Sequence, residues 1–240
     1  MPALPDPSLA AVTDLVRVRR GALAARDGSC VVAIDGAVSV GKSTTADLIA
    51  GMLRAPSDPL TVRVVSTDGF LYPNRVLEAR GLVMRKGFPE SYDHDALEAL
   101  VASVRSGAPE LRVPVYSHET YDVLDEPEVF ATPDVLVIEG LHTMRLAGRV
   151  DLSVYVDADE VDIERWYTER FVELVEAGAG FYAQFSSMPE PQIVAFAHEV
   201  WSEINAPNLH EFILPNRERA EVVVEKGPDH AVVAVILRDS

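Results

Sequence analysis

Gly36-Ala37-Val38-Ser39-Val40-Gly41-Lys42-Ser43 reads G-x-x-x-x-G-K-S, and no other stretch limits the fold so strongly. A segment of this pattern grips a polyphosphate with main-chain N–H groups. Glycines let them turn inward, at the positive end of the following helix. The pattern therefore requires an apolar strand before it and a helix after it. Residues 30–34 supply an apolar run without alternation, and residues 44–53 have apolar residues at helical spacing. In that setting Gly36, Ala37, Val38, Ser39, Val40, Gly41, Lys42, Ser43 and Thr44 form a phosphate cradle. Lys42 reaches the β and γ phosphates of a nucleotide and Ser43 binds Mg2+.

The same rhythm continues along the chain. Residues 61–66, 135–138 and 152–156 are further apolar runs, and residues 93–106 and 159–176 have helical patterns, the first with Leu97, Leu100, Val101 and Val104 on one face. Strands buried on both faces and separated by helices predict an α/β P-loop NTPase fold, a wound and mostly parallel sheet flanked by helices. Leu9, Val12, Leu15, Val16 and Leu23 predict an N-terminal helix from about Ser8 to Arg26, stopped by Gly28. Two hairpins interrupt the alternation. One near residues 111–124 is expected to project over the active site. The other, residues 220–237 around Gly227, Pro228 and Asp229, closes the domain at its C-terminus. A chain of 240 residues suits one core, read as a single P-loop domain with an N-terminal helix over 1–29 and the core over 30–240.

Composition bounds the partners. The formal charge of −17 repels nucleic acid phosphates and anionic membrane surfaces, so neither partner is expected. In so acidic a chain each cation near a phosphate motif gains weight, which singles out Lys42, Lys86 and Arg170. Cys30 is the only cysteine, so the chain has no intrachain disulfide and suits a reducing compartment. No signal-peptide h-region is visible and the longest apolar run, residues 231–237, is too short to span a bilayer. A cytoplasmic location is the expectation. The six histidines show no metal-ligand spacing.

Two acids stand where open α/β sheets place their ligands. Asp68 follows the second strand in Ser66-Thr67-Asp68-Gly69-Phe70. It reads either as the base that accepts a hydroxyl proton or as the start of a turn before Gly69. Glu139 ends the run 135–138, as a carboxylate that orients Mg2+ or its water or as a plain strand-end acid. No guanine-reading Asn-Lys-x-Asp segment occurs, which favours ATP.

Longer segments carry a resemblance. Ser66-Thr67-Asp68-Gly69-Phe70-Leu71-Tyr72-Pro73-Asn74, Arg85-Lys86-Gly87-Phe88-Pro89-Glu90-Ser91-Tyr92-Asp93, Pro114-Val115-Tyr116-Ser117-His118 and Glu203-Ile204-Asn205 closely resemble prokaryotic type I pantothenate kinases, over about residues 31–238. The resemblance implies Mg-ATP-dependent phosphorylation of pantothenate, a small-molecule partner, a homodimer and feedback by coenzyme A. It implies Asp68 as the base, with Lys42 and Arg170 at the transferring phosphate. Tyr116, His118, Tyr167 and Asn205 stand around the pantothenate, joined on the substrate side by Lys86 and Phe171. Lys226 and His230 match positions around adenine. Phe181, Tyr182 and Phe185 are read equally as core or as pocket lining.

The match breaks in three places. The residues before Val31 do not resemble the family's, Asp47 stands where the family has an arginine at the coenzyme A diphosphate, and His142 replaces an asparagine after Glu139-Gly140-Leu141. These breaks leave two rivals to the main reading: a kinase for another alcohol, such as uridine or a sugar, and a catalytically silent nucleotide-binding regulator.

Overall fold

The computed structural model describes residues 9–24 and 28–238. The first helix, α1 (Ala10–Ala24), lies where the apolar spacing put it. The expected ends at Ser8 and Arg26 fall outside the described residues. The core strands are β1 (Cys30–Gly36), β2 (Val62–Ser66), β7 (Val135–Glu139) and β8 (Leu152–Ala158), and helix α2 (Lys42–Leu53) follows β1. Every residue of β1 and β7 is buried. Strands covered on both faces give an unbroken apolar run in sequence.

The six-stranded sheet has the order β10-β9-β8-β1-β7-β2, with β9 (Val222–Lys226) parallel to β8 and β10 (Val232–Leu237) antiparallel at the edge. One face is covered by α1 and α2, where Val12, Val16, Ile49 and Leu53 pack with Val32 and Val137. The other is covered by α4 (His94–Arg105), whose Leu97, Leu100, Val101 and Val104 pack with Val31, Val65, Leu136 and Ile138. Asp93 caps α4 by accepting from the Ala96 amide at 2.9 Å. Asp159 likewise caps α5 (Glu160–Glu176), whose first turn carries Glu160 and Asp162 against the positive end of the helix.

Register fixes what meets at the carboxyl edge. Ile34 pairs with Glu139, Glu139 pairs with Ser66, Gly36 pairs with Val156, and Ala158 pairs with Lys226. The ends of five parallel strands therefore lie side by side.

The first hairpin is longer than the sequence suggested. β3 (Glu110–Val113) pairs with β6 (Glu128–Ala131), and a second short ladder joins β4 (Tyr116–Ser117) to β5 (Asp122–Val123). Pro114 and Pro127 bracket the break between the two ladders, because proline donates no ladder hydrogen bond. The inner ladder reaches the turn that carries Asp68: a Cβ on Gly69 would stand 2.2 Å from the Pro114 carbonyl oxygen. The short helix α3 (Asn74–Ala79) follows that turn. After α6 (Glu190–Val200) the chain stays helical with π-type turns at Trp201–Asn205 and Leu209–Ile213. Pro207 and Pro215 break the regular i to i−4 ladder there.

Candidate functional site

The loop between β1 and α2 has the backbone its pattern requires. Gly36 and Gly41 adopt φ of 148° and 87°. A Cβ on Gly36 would stand 2.4 Å from the Val156 carbonyl oxygen, so only glycine fits this crossing of β1 and β8. Lys42 is buried, and its Nζ donates to the Ala37 carbonyl at 2.7 Å. Burial pushes the Lys42 amine below its ordinary range, while Glu139, Asp35 and Asp68 oppose that shift. The buried Glu139 carboxylate is raised, first by burial, against the pull of Lys42, and is held by the hydroxyls of Ser43 and Ser66.

This donor set fits Mg2+. A buried carboxylate and a serine hydroxyl share one hydrogen bond beside a glycine cradle, which matches the hard-oxygen chemistry of that ion. Among the described residues no cluster of three His, Cys, Asp or Glu side chains is placed to hold a metal.

Asp68 sits in the 3-10 turn Thr67–Phe70, its amide donating to Ser66 Oγ at 3.3 Å. Its charge is felt by Lys42, Lys86, Glu139, Tyr116 and Tyr121. Lys86 is tied to the hairpin. Its Nζ donates to Asn74 Oδ1 at 2.9 Å and to the Tyr121 carbonyl at 2.7 Å. Burial pushes it down to about 8, against the pull of Asp122 and Asp68. Tyr116 packs edge-on against His118 at 5.2 Å, so the hairpin brings both expected substrate residues to this wall.

Helix α5 supplies the other wall. Tyr167 is hydrogen-bonded to Asn205, which joins two expected substrate residues far apart in sequence. Arg170 is exposed on the same helix, near enough to lower Lys42 further. Phe171 is buried in an aromatic group with Tyr182, Phe185 and Phe196. Phe181 instead stacks on Tyr121 at 4.5 Å, so this segment closes on the tip of the hairpin. At the sheet's far edge Lys226 and His230 part company. Lys226 Nζ donates to the Gly41 carbonyl at 3.3 Å, beside the phosphate loop, whereas His230 stacks on Trp166 at 3.8 Å.

Several residues of the site were not foreseen. Asp35 is wholly buried at the end of β1. It accepts from the Gly36 amide at 2.8 Å, the Met144 amide at 3.0 Å and Asn216 Nδ2 at 3.2 Å, and burial pushes it up to about 6. Its signal was a lone acid ending an apolar run. Asn74 lay within a quoted motif, and Tyr121 and Asn208 left no local signal. Among the described residues the non-glycine positions with positive φ are Ser39, Tyr121, His142 and His230. Ser39 lies in the phosphate loop, the Tyr121 carbonyl holds Lys86 and His142 holds Gly87, and strained backbone of this kind gathers at functional sites.

The sequence profile of the Phosphoribulokinase / Uridine kinase family matches residues 31–167. The pantothenate kinase of Cutibacterium acnes is 46% identical over 227 residues, covering 87% of this chain and 69% of the relative. That of Vibrio vulnificus is 41% identical over 225 residues, covering 87% of this chain and 73% of the relative. The YGR205w protein structure superposes with a TM-score of 0.70, covering 97% of this chain and 99% of its own at 13% identity, a likeness of fold alone.

Proposed function

The chain belongs to the pantothenate kinase family, and on that premise we propose that it transfers the γ-phosphoryl group of ATP to the terminal hydroxyl of pantothenate. The observation that carries the reading is the convergence on Asp68: its charge acts both on Lys42 of the phosphate loop and on Lys86, which the hairpin holds through the Tyr121 carbonyl.

The roles follow from chemistry. Main-chain amides from Gly36 to Ser43, with Lys42, hold the β and γ phosphates. Ser43 and Glu139 would hold Mg2+, which when bound would neutralise charge on the phosphate oxygens. Asp68 accepts the proton of the substrate hydroxyl as the oxygen attacks phosphorus in line with the departing ADP oxygen. Lys42 and Arg170 stabilise the charge that builds on the transferring group. Tyr116, His118, Tyr167, Asn205 and Lys86 bind and orient the acceptor, with Phe171 packed behind them. Lys226 steadies the phosphate loop, and the Trp166–His230 stack forms a flat wall suited to adenine. The same reading extends to a homodimer acting in the cytoplasm. Among the described residues no helix is long and apolar enough to cross a membrane.

The test is ADP release with ATP and Mg2+ across a panel of pantothenate, uridine and simple sugars, with mass analysis of the product. Phosphopantothenate formed at the highest kcat/KM of the panel supports the reading. A higher value for uridine or a sugar, or nucleotide binding without turnover, overturns it.

A further inference from the structure

Gly87 has no side chain and a φ of 96°, so nothing of its own fixes the turn that aims Lys86. Side chains from three places do so instead. Its amide donates to Ser91 Oγ at 3.0 Å, and its carbonyl accepts from His142 Nε2 at 2.8 Å and from Asn208 Nδ2 at 2.8 Å. His142 lies 55 residues from Gly87 and Asn208 lies 121 residues away. Both are buried. The imidazole is further fixed edge-on between Tyr92 at 5.5 Å and Phe212 at 6.5 Å. A carbonyl only accepts, so Nε2 carries the proton.

His142 makes this bond from a left-handed backbone with φ of 64°, a conformation that an asparagine adopts at less cost than a histidine. What histidine gains over asparagine is reach: its Nε2 stands farther from the backbone than an asparagine amide does. We propose that His142 is a positioning residue that acts through the Gly87 carbonyl on Lys86, and so sets how the acceptor alcohol is received beside Asp68. The proposal rests on the assignment of Lys86 to the substrate side made above.

The test is a double-mutant cycle on pantothenate kinetics with H142N, K86A and the double variant, plus H142Q, whose amide reaches about as far as Nε2. H142N is expected to raise KM for pantothenate about tenfold, the worth of one buried hydrogen bond, with KM for ATP unchanged within about twofold. In the K86A background it should add little, and H142Q should recover most of the loss. A merely structural histidine gives effects that multiply with those of K86A and touch both substrates alike, which overturns the proposal. Acylation of Lys86 by an amine-reactive reagent, followed by mass spectrometry, reads the same coupling without turnover. If pantothenate is not phosphorylated by the wild type, the function assignment has failed. The labelling then still decides: a several-fold change in Lys86 reactivity in H142N supports the proposal, and an unchanged rate overturns it.

Discussion

Lys86 Nζ stands 4.0 Å from the centroid of the Tyr121 ring and donates to the carbonyl of that same residue. The amine is thus held by ring face and main chain at once, with the Tyr116 ring 5.0 Å away. Burial brings it down to about 8, so its charge is lost near the working pH. The kcat/KM for pantothenate should fall as pH rises through about 8. In K86R the guanidinium stays charged, so that alkaline limb should move at least about one pH unit higher while the maximum drops. A pH profile whose limb is the same in both proteins removes Lys86 from the reaction.

Asp68 is the one acid expected to take a proton, and its hydrogen bonds run to Ser66 and Leu71 rather than to the phosphate loop. D68N should therefore lower kcat by about 10^2 to 10^4-fold, the usual worth of a positioned base, while ATP affinity changes by less than about threefold. Stopped assays for turnover and calorimetry for ATP separate the two quantities. Loss of nucleotide binding in parallel with kcat contradicts the assignment.

The parts of this molecule legible in its sequence are those whose physics is local. Buried parallel strands print continuous apolar runs, which is why β1, β7 and β8 could be placed to within two residues at their ends. The loop Gly36 to Ser43 is spelled by its own backbone needs. What stayed hidden depends on distant partners. Asp35 sits in an apolar run because Met144 and Asn216, 109 and 181 residues away, satisfy its carboxylate. The Lys86 and Tyr121 pairing spans 35 residues. The helical stretch after Glu190 was unread because Pro191, Pro207 and Pro215 interrupt any regular period. Where the hairpin bends shows only once Pro114 and Pro127 are seen on opposite strands.

His142 and Asp35 titrate in opposite senses over one pH window. The buried His142 is pushed down to about 4 from 6.5, so between those values the unfolded chain binds a proton the folded one refuses, and stability falls on acidification. Asp35 is pushed up to about 6 from 3.8, so there the folded chain holds the extra proton, and stability rises on acidification. The two effects offset each other in the wild type. H142Q removes only the first. Relative to the wild type it should therefore gain about 2 to 3 kcal/mol between pH 7 and pH 4.5, read by urea unfolding at both pH values. A stability difference that does not vary with pH contradicts the burial of a neutral imidazole.

Asp47 is exposed on α2, one helical turn beyond Ser43. The family resemblance puts an arginine at this point against the diphosphate of coenzyme A, and a carboxylate there repels the same group. The wild type should accordingly be inhibited weakly by coenzyme A. Asp47→Arg exchanges one negative for one positive charge at a solvated position, where such contacts are worth about 1 kcal/mol. It should lower the half-inhibiting concentration about five- to tenfold at low ionic strength, in competition with ATP. The gain should shrink in several hundred millimolar salt, because an exposed contact is screened. Strong, ATP-competitive inhibition of the wild type at micromolar coenzyme A would show that other cations already hold the diphosphate and that Asp47 does not oppose it.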